Sequence, residues 1–110
     1  MGVFIRAAAL GEIGDHDGKV IRHGKRNIAV MRVGERYFAI DNECTHVGAP
    51  LHEGVVAGEE VICPWHAARF CLKTGRALCG PARYDLRTYR VRVNGNQVEV
   101  EVAEEVEQHL

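Results

Sequence analysis

The chain has 110 residues, 46% of them hydrophobic and 26% charged, and a net charge of −1. That length suits one domain with a single core, here taken as 1–110. The balanced charge speaks against nucleic-acid binding, which usually brings a basic excess, and no apolar run is long enough for a membrane span.

Met1–Leu10 carries one Arg and a short apolar stretch, followed at once by Gly11-Glu12. It lacks a charged leader and a cleavage site, so it is expected to belong to the domain, and the chain to stay in the cytoplasm. Short alternating apolar runs follow at Val20–Arg22 and Ile28–Val33, with Gly24-Lys25 between them, and then Arg36–Ile40 after the turn signal Gly34-Glu35. Near the end, Tyr89–Val93 and Gln97–Val102 alternate Val with charge around Asn94-Gly95-Asn96. A Gly95-Asn96 turn would set Val93 opposite Val98, Val91 opposite Val100, Arg92 opposite Glu99 and Arg90 opposite Glu101. A turn at Asn94-Gly95 keeps the same faces but matches the charges less well. The pattern is all-β, and the acidic end, Glu99–Leu110, is expected to finish as a frayed tail or a short helical turn.

The stretch from about 41 to 81 is different. It holds all three prolines and all four cysteines, with little sustained alternation. So long a loop-rich segment in a compact domain needs a function or a tether, and a metal centre would supply both. Charge is segregated as well. No Lys or Arg occurs between Tyr37 and Ala68, where Asp41, Glu43, Glu53, Glu59 and Glu60 lie, while half of the basic residues fall between Arg69 and Arg92. Ordinary solvated surface is the plainer reading; an acidic rim that steers a basic partner is the functional one.

Two motifs carry chemistry: Cys44-Thr45-His46 and Cys63-Pro64-Trp65-His66, separated by Val47–Ile62. Thiolate and imidazole ligate zinc, iron and copper. Without a leader peptide, metal binding or free thiols are better expectations than disulfides. Zinc modules usually pair Cys with Cys and His with His. Here both pairs are mixed, an order that suits a two-iron cluster, although a zinc-stabilised interaction module without redox role stays open.

These residues resemble the Rieske family, whose pattern is C-x-H, a spacer of about this length, then C-x-x-H. The resemblance extends through Cys44–Gly48, Cys63–Phe70, Thr74-Gly75, Gly80-Pro81-Ala82 and Tyr84–Tyr89 into the Val-rich hairpin, covering about Tyr37 to Val102. It implies a Rieske fold, an antiparallel β-sandwich base with a loop-rich cluster-binding subdomain at one end. It implies one [2Fe–2S] cluster, with Cys44 and Cys63 on one iron and His46 and His66 on the other. Neutral imidazoles in place of two thiolates raise the potential above that of an all-cysteine ferredoxin.

Departures from the high-potential members matter. Their disulfide cysteines align with Ala49 and Trp65, and their hydroxyl near a cluster sulfur aligns with Ala68. Fewer hydrogen bonds to sulfur imply a potential near the low end of the range, roughly −150 mV. Ala67 stands where the family often has Gly, which would be strained if φ there were positive. Pro81 resembles the residue of the proline loop over the cluster, or a plain turn.

Cys71 and Cys79 fall outside the motif and are read as packing thiols, with a disulfide between them as the alternative. His16, His23, His52 and His109 are read as surface residues, and Trp65 and Phe70 as shielding the cluster, as core, or as both. No residue is a convincing general acid, base or nucleophile, so the chain is expected to be a carrier and not an enzyme. The resemblance implies a stand-alone ferredoxin, and a monomer is the simplest expectation. It would pass single electrons from an NADH-dependent flavoprotein reductase to a terminal ring-hydroxylating oxygenase. The alternative within the family is the small subunit of an NADH-dependent nitrite reductase.

Overall fold

The computed structural model describes residues 2–44, 48–65, 68–79 and 84–103. Strand and turn account for nearly all of them, in three antiparallel sheets. The first sheet has the order β1 (Gly2–Ala9), β11 (Gln97–Ala103), β10 (Val91–Asn94). The second is β2 (Gly18–His23), β3 (Arg26–Val33), β4 (Arg36–Asp41), β9 (Thr88–Tyr89). The third is β5 (Val55–Ala57), β6 (Glu60–Ile62), β7 (Arg69–Cys71), β8 (Ala77–Cys79).

The C-terminal hairpin takes the Gly95-Asn96 turn. Val91 pairs with Val100, Arg92 with Glu99 and Val93 with Val98, and Arg92 Nε donates to Glu99 Oε1 at 2.7 Å. Val98, Val100 and Val102 are buried on the central strand, whereas Val93, on the edge strand β10, is half exposed. The N-terminal segment is a full strand that alternation did not mark. Its register shifts between Arg6 and Ala8, so two consecutive residues, Ala7 and Ala8, are both buried.

The second sheet is the middle layer. Ile28, Val30 and Ala39 pack into a cluster with Ala8, Val98, Val100 and Val102 of the first sheet. Their chain neighbours Ala29, Met31 and Ile40 pack into the other cluster, with Val61, Phe70 and Leu72 of the third-sheet region. Side chains along a strand alternate between faces, so β3 is buried on both and reads as the unbroken run Ile-Ala-Val-Met. The third sheet thus packs against the second through this cluster.

The 41–81 stretch is also more ordered than its composition suggests. Its strands are only three residues long, too short for alternation to register, yet they pair side by side, with one register shift between β7 and β8. Val55, Ile62, Arg69 and Cys79 form one row, and the next is Val56, Val61, Phe70 and Ala77. Phe70 and Val61 are fully buried in that inner row.

Candidate metal centre

Both cysteines of the two motifs make the same backbone hydrogen bond at the mouth of their loop. The Cys44 N–H donates to the Ala49 carbonyl (2.9 Å), and the Cys63 N–H to the Ala68 carbonyl (2.7 Å), each five residues ahead. The first loop is further closed by the Gly48 N–H donating to the Cys44 carbonyl (2.7 Å), with Gly48 at φ +73°, a region an L side chain seldom enters. Ile62 paired with Arg69 frames the second loop, and a Glu43–Pro50 bridge frames the first. Cys44 and Cys63 are each only 2% exposed and belong to the same buried cluster, with Ala49 and Ala68 fully enclosed beside them.

Two buried sulfurs presented by matched loops against an apolar wall fit a thiolate-bound metal group. A thiolate so buried needs a cationic partner, and soft metal ions supply one. His46 and His66 lie outside the described residues, as do Ala67 and Pro81. Among the described residues no group of three or more His, Cys, Asp or Glu converges as a metal site.

The stem leading to Cys44 is held from two sides. Asp41 accepts a hydrogen bond from the Tyr89 hydroxyl (2.5 Å) and lies 4.0 Å from Arg26. Burial, reinforced by that carboxylate, pushes the Tyr89 hydroxyl up to about 12. Glu43 accepts from Asn27 Nδ2 at 3.1 Å. The other acidic residues of this stretch are engaged too. Glu59 pairs with Arg36 (2.6 Å), Glu60 with Arg69 (3.7 Å), and Glu53 lies 3.7 Å from His52. Glu59 and Glu60 thus have cationic partners within the chain, whereas Glu43 meets a neutral amide.

A third turn copies the first. The Cys71 N–H donates to the Arg76 carbonyl (2.9 Å) and the Gly75 N–H to the Cys71 carbonyl (2.7 Å), with Gly75 at φ +77°. Hydrogen bonds from the Thr74 hydroxyl and from the Thr74 and Lys73 amides hold the Cys71 thiol below its ordinary pKa. Cys71 is thus a half-buried free thiol capping its own turn, and the Cys71–Cys79 disulfide is not formed. The signal in the sequence was Thr74-Gly75, four residues after a cysteine as Gly48 is after Cys44.

Three other expectations are refined. Trp65 is 61% exposed and belongs to the surface, while Phe70 is core. His52 is half-buried and hydrogen-bonded to Asn42, not a plain surface residue. His23 lies 3.0 Å from the Ala103 carbonyl, and exposed His16 pairs with Asp15 at 2.9 Å; His109 lies outside the described residues. Among the described residues no helix is long and apolar enough to cross a membrane.

Comparison with known proteins places this geometry. Residues 4–90 match the model of the Rieske [2Fe-2S] domain. The ferredoxin component of the naphthalene 1,2-dioxygenase system of Pseudomonas aeruginosa is 36% identical over 100 residues, covering 91% of this chain and 96% of that protein. Among solved structures, a chain from the complex of reduced oxygenase and oxidised ferredoxin in carbazole 1,9a-dioxygenase superposes with a TM-score of 0.86 at 28% identity. That match covers 94% of this chain and 97% of the other. A nitrite reductase small subunit from Mycobacterium tuberculosis has a TM-score of 0.85 at 21% identity, covering 96% of this chain and 99% of its own; this shows a shared fold alone.

Proposed function

Because the chain belongs to the Rieske [2Fe–2S] family, with one cluster of that type as its cofactor, we propose that Cys44, His46, Cys63 and His66 hold that cluster. The chain is an electron-transfer ferredoxin, not a catalyst, of the kind that serves dioxygenase systems. The observation that carries the ligand assignment is the pair of matched loops, each with a buried cysteine whose amide donates five residues ahead. Each loop carries its histidine two or three residues after that cysteine.

When bound, the cluster supplies one reversible one-electron couple. The chain's own residues set its surroundings. Cys44 and Cys63 would hold it from within the apolar core, and His46 and His66 would complete its ligand set. Ala49 and Ala68 bring methyl groups where a hydroxyl or a second thiol would add polarity, which favours a potential near the low end of the Rieske range, roughly −150 mV. Trp65 and Val55 leave apolar surface exposed beside the second loop, a surface suited to brief contact with a redox partner. The partners we assign are an NADH-dependent flavoprotein reductase as donor and a terminal ring-hydroxylating oxygenase as acceptor. The carrier itself acts as a cytoplasmic monomer.

Absorption and EPR spectra of the purified protein before and after dithionite test the assignment. The expected result is a coloured protein whose reduced form gives the signal of a mixed Cys/His two-iron cluster. A colourless zinc protein, or the signal of an all-cysteine cluster, overturns it.

A further inference from the structure

Asn42 is the one buried polar or charged residue among those described, 7% exposed and two residues before Cys44. All of its hydrogen bonds described here tie the two ends of the first loop together or fix them to the sheet. Its N–H donates to the Asn27 carbonyl on β3 (2.9 Å), and its carbonyl accepts from the Leu51 N–H (2.7 Å). Its Oδ1 accepts from the His52 N–H (2.9 Å) and lies 3.2 Å from His52 Nδ1. A backbone N–H can only donate, which fixes Oδ1 as the oxygen; His52 Nδ1 must then carry the proton.

Leu51 and His52 open a single 3₁₀ turn, Leu51–Glu53, directly after the loop. Asn42 and this turn thus clamp the neck of residues 43–50, and the Glu43–Pro50 bridge closes just inside the clamp. A buried amide is costly unless its polar atoms are answered, so this arrangement strongly favours one geometry.

We propose that Asn42, acting through His52 and Leu51, is the positioning residue for the first cluster loop. It fixes the direction in which Cys44 leaves the neck. It touches neither the metal nor a substrate, and the inference rests on the ligand assignment above. Ligand-orienting partners outside a metal's own shell typically alter metal retention about 10- to 100-fold when removed.

The test uses the cluster-loaded protein and three variants: Asn42→Ala, Asn42→Asp and His52→Phe. Asn42→Ala should shift the EPR g-values of the reduced protein and speed cluster loss to a chelator about tenfold. Asn42→Asp keeps the accepting oxygen and should return the g-values and most of the retention. His52→Phe keeps the backbone bond and loses only the ring contact, so it should give a smaller change in the same direction. If Asn42→Ala does not fold, His52→Phe carries the test alone. Wild-type g-values and wild-type retention in Asn42→Ala overturn the proposal, as does an Asn42→Asp variant no better than Asn42→Ala. A wild-type protein without the mixed-ligand signal would instead overturn the ligand assignment.

Discussion

The two halves of this molecule solve the same packing problem with different means. The base sandwich uses strands of up to eight residues, whose alternation buries Val98, Val100 and Val102 on one face. The third sheet uses strands of three, each offering one inward side chain, such as Val56, Val61 and Phe70. A strand that short buries too little to hold its own register. Its order comes from turns, from Gly75 and from the loops around Cys44 and Cys63. The base should therefore withstand loss of the metal centre, and the third sheet should not.

The largest expected effect follows from removing a proposed ligand. Cys63→Ser should abolish the visible spectrum. Hydrogen exchange should then accelerate in β5–β8 while β3 and β11 stay protected. Equal loss of protection in both regions would show that the sandwich also depends on the cluster.

Gly75→Ala is the next test. Gly75 has φ +77°, and a Cβ there would fall on the Leu86 carbonyl oxygen. The turn cannot relax without moving the segment that returns to β9, so a loss above about 2 kcal/mol is expected in denaturant unfolding. Gly34, in the sandwich, has φ +61° and open space around it. Gly34→Ala should cost only about 1 kcal/mol, the conformational cost of the left-handed region. Similar losses at both sites would remove the distinction between the regions.

Ala68→Ser probes the site's polarity. A new hydroxyl beside the second loop, if it donates to a cluster sulfur, should stabilise the reduced form by about 1.4 kcal/mol. For one electron this corresponds to a rise on the order of 60 mV, readable by voltammetry. A fall in potential would contradict the placement of Ala68 beside the cluster.

The smallest effect is at alkaline pH. Tyr89, at the junction of base and stem, is pushed up to about 12 from an ordinary value of 10.0. The fold favours the protonated form, so its contribution to stability is complete below pH 10 and is lost as pH rises through 12. A phenolate absorbance titration should show Tyr89 ionising later than an unperturbed phenol, and Asp41→Asn should bring it part of the way back.

The legibility of the sequence follows the same divide between regions. The register of the final hairpin was readable because opposite charges and valines alternate over several pairs. The metal motifs were readable because Cys and His at fixed short spacings have few other uses. Strand β1 was not, since a bulge at Ala7 breaks its alternation, and β5–β8 were not, since three residues cannot display a period. The partners of the acidic residues were not readable for another reason. Sequence records that charges are present but not that Arg36 reaches Glu59 from a strand distant in the chain, or that Arg69 lies near Glu60 across the neighbouring strands β6 and β7.

The sequence alone determined the all-β character and the hairpin register, and it singled out four candidate ligands, because these depend on local spacing. Only the tertiary structure decided that β3 is buried on both faces and that Asn42 closes the neck of the first loop. Burial on both faces depends on contacts between residues far apart in the chain, and the neck on bonds from Asn42 back to Asn27 and on to Leu51 and His52, pairings that no local pattern encodes.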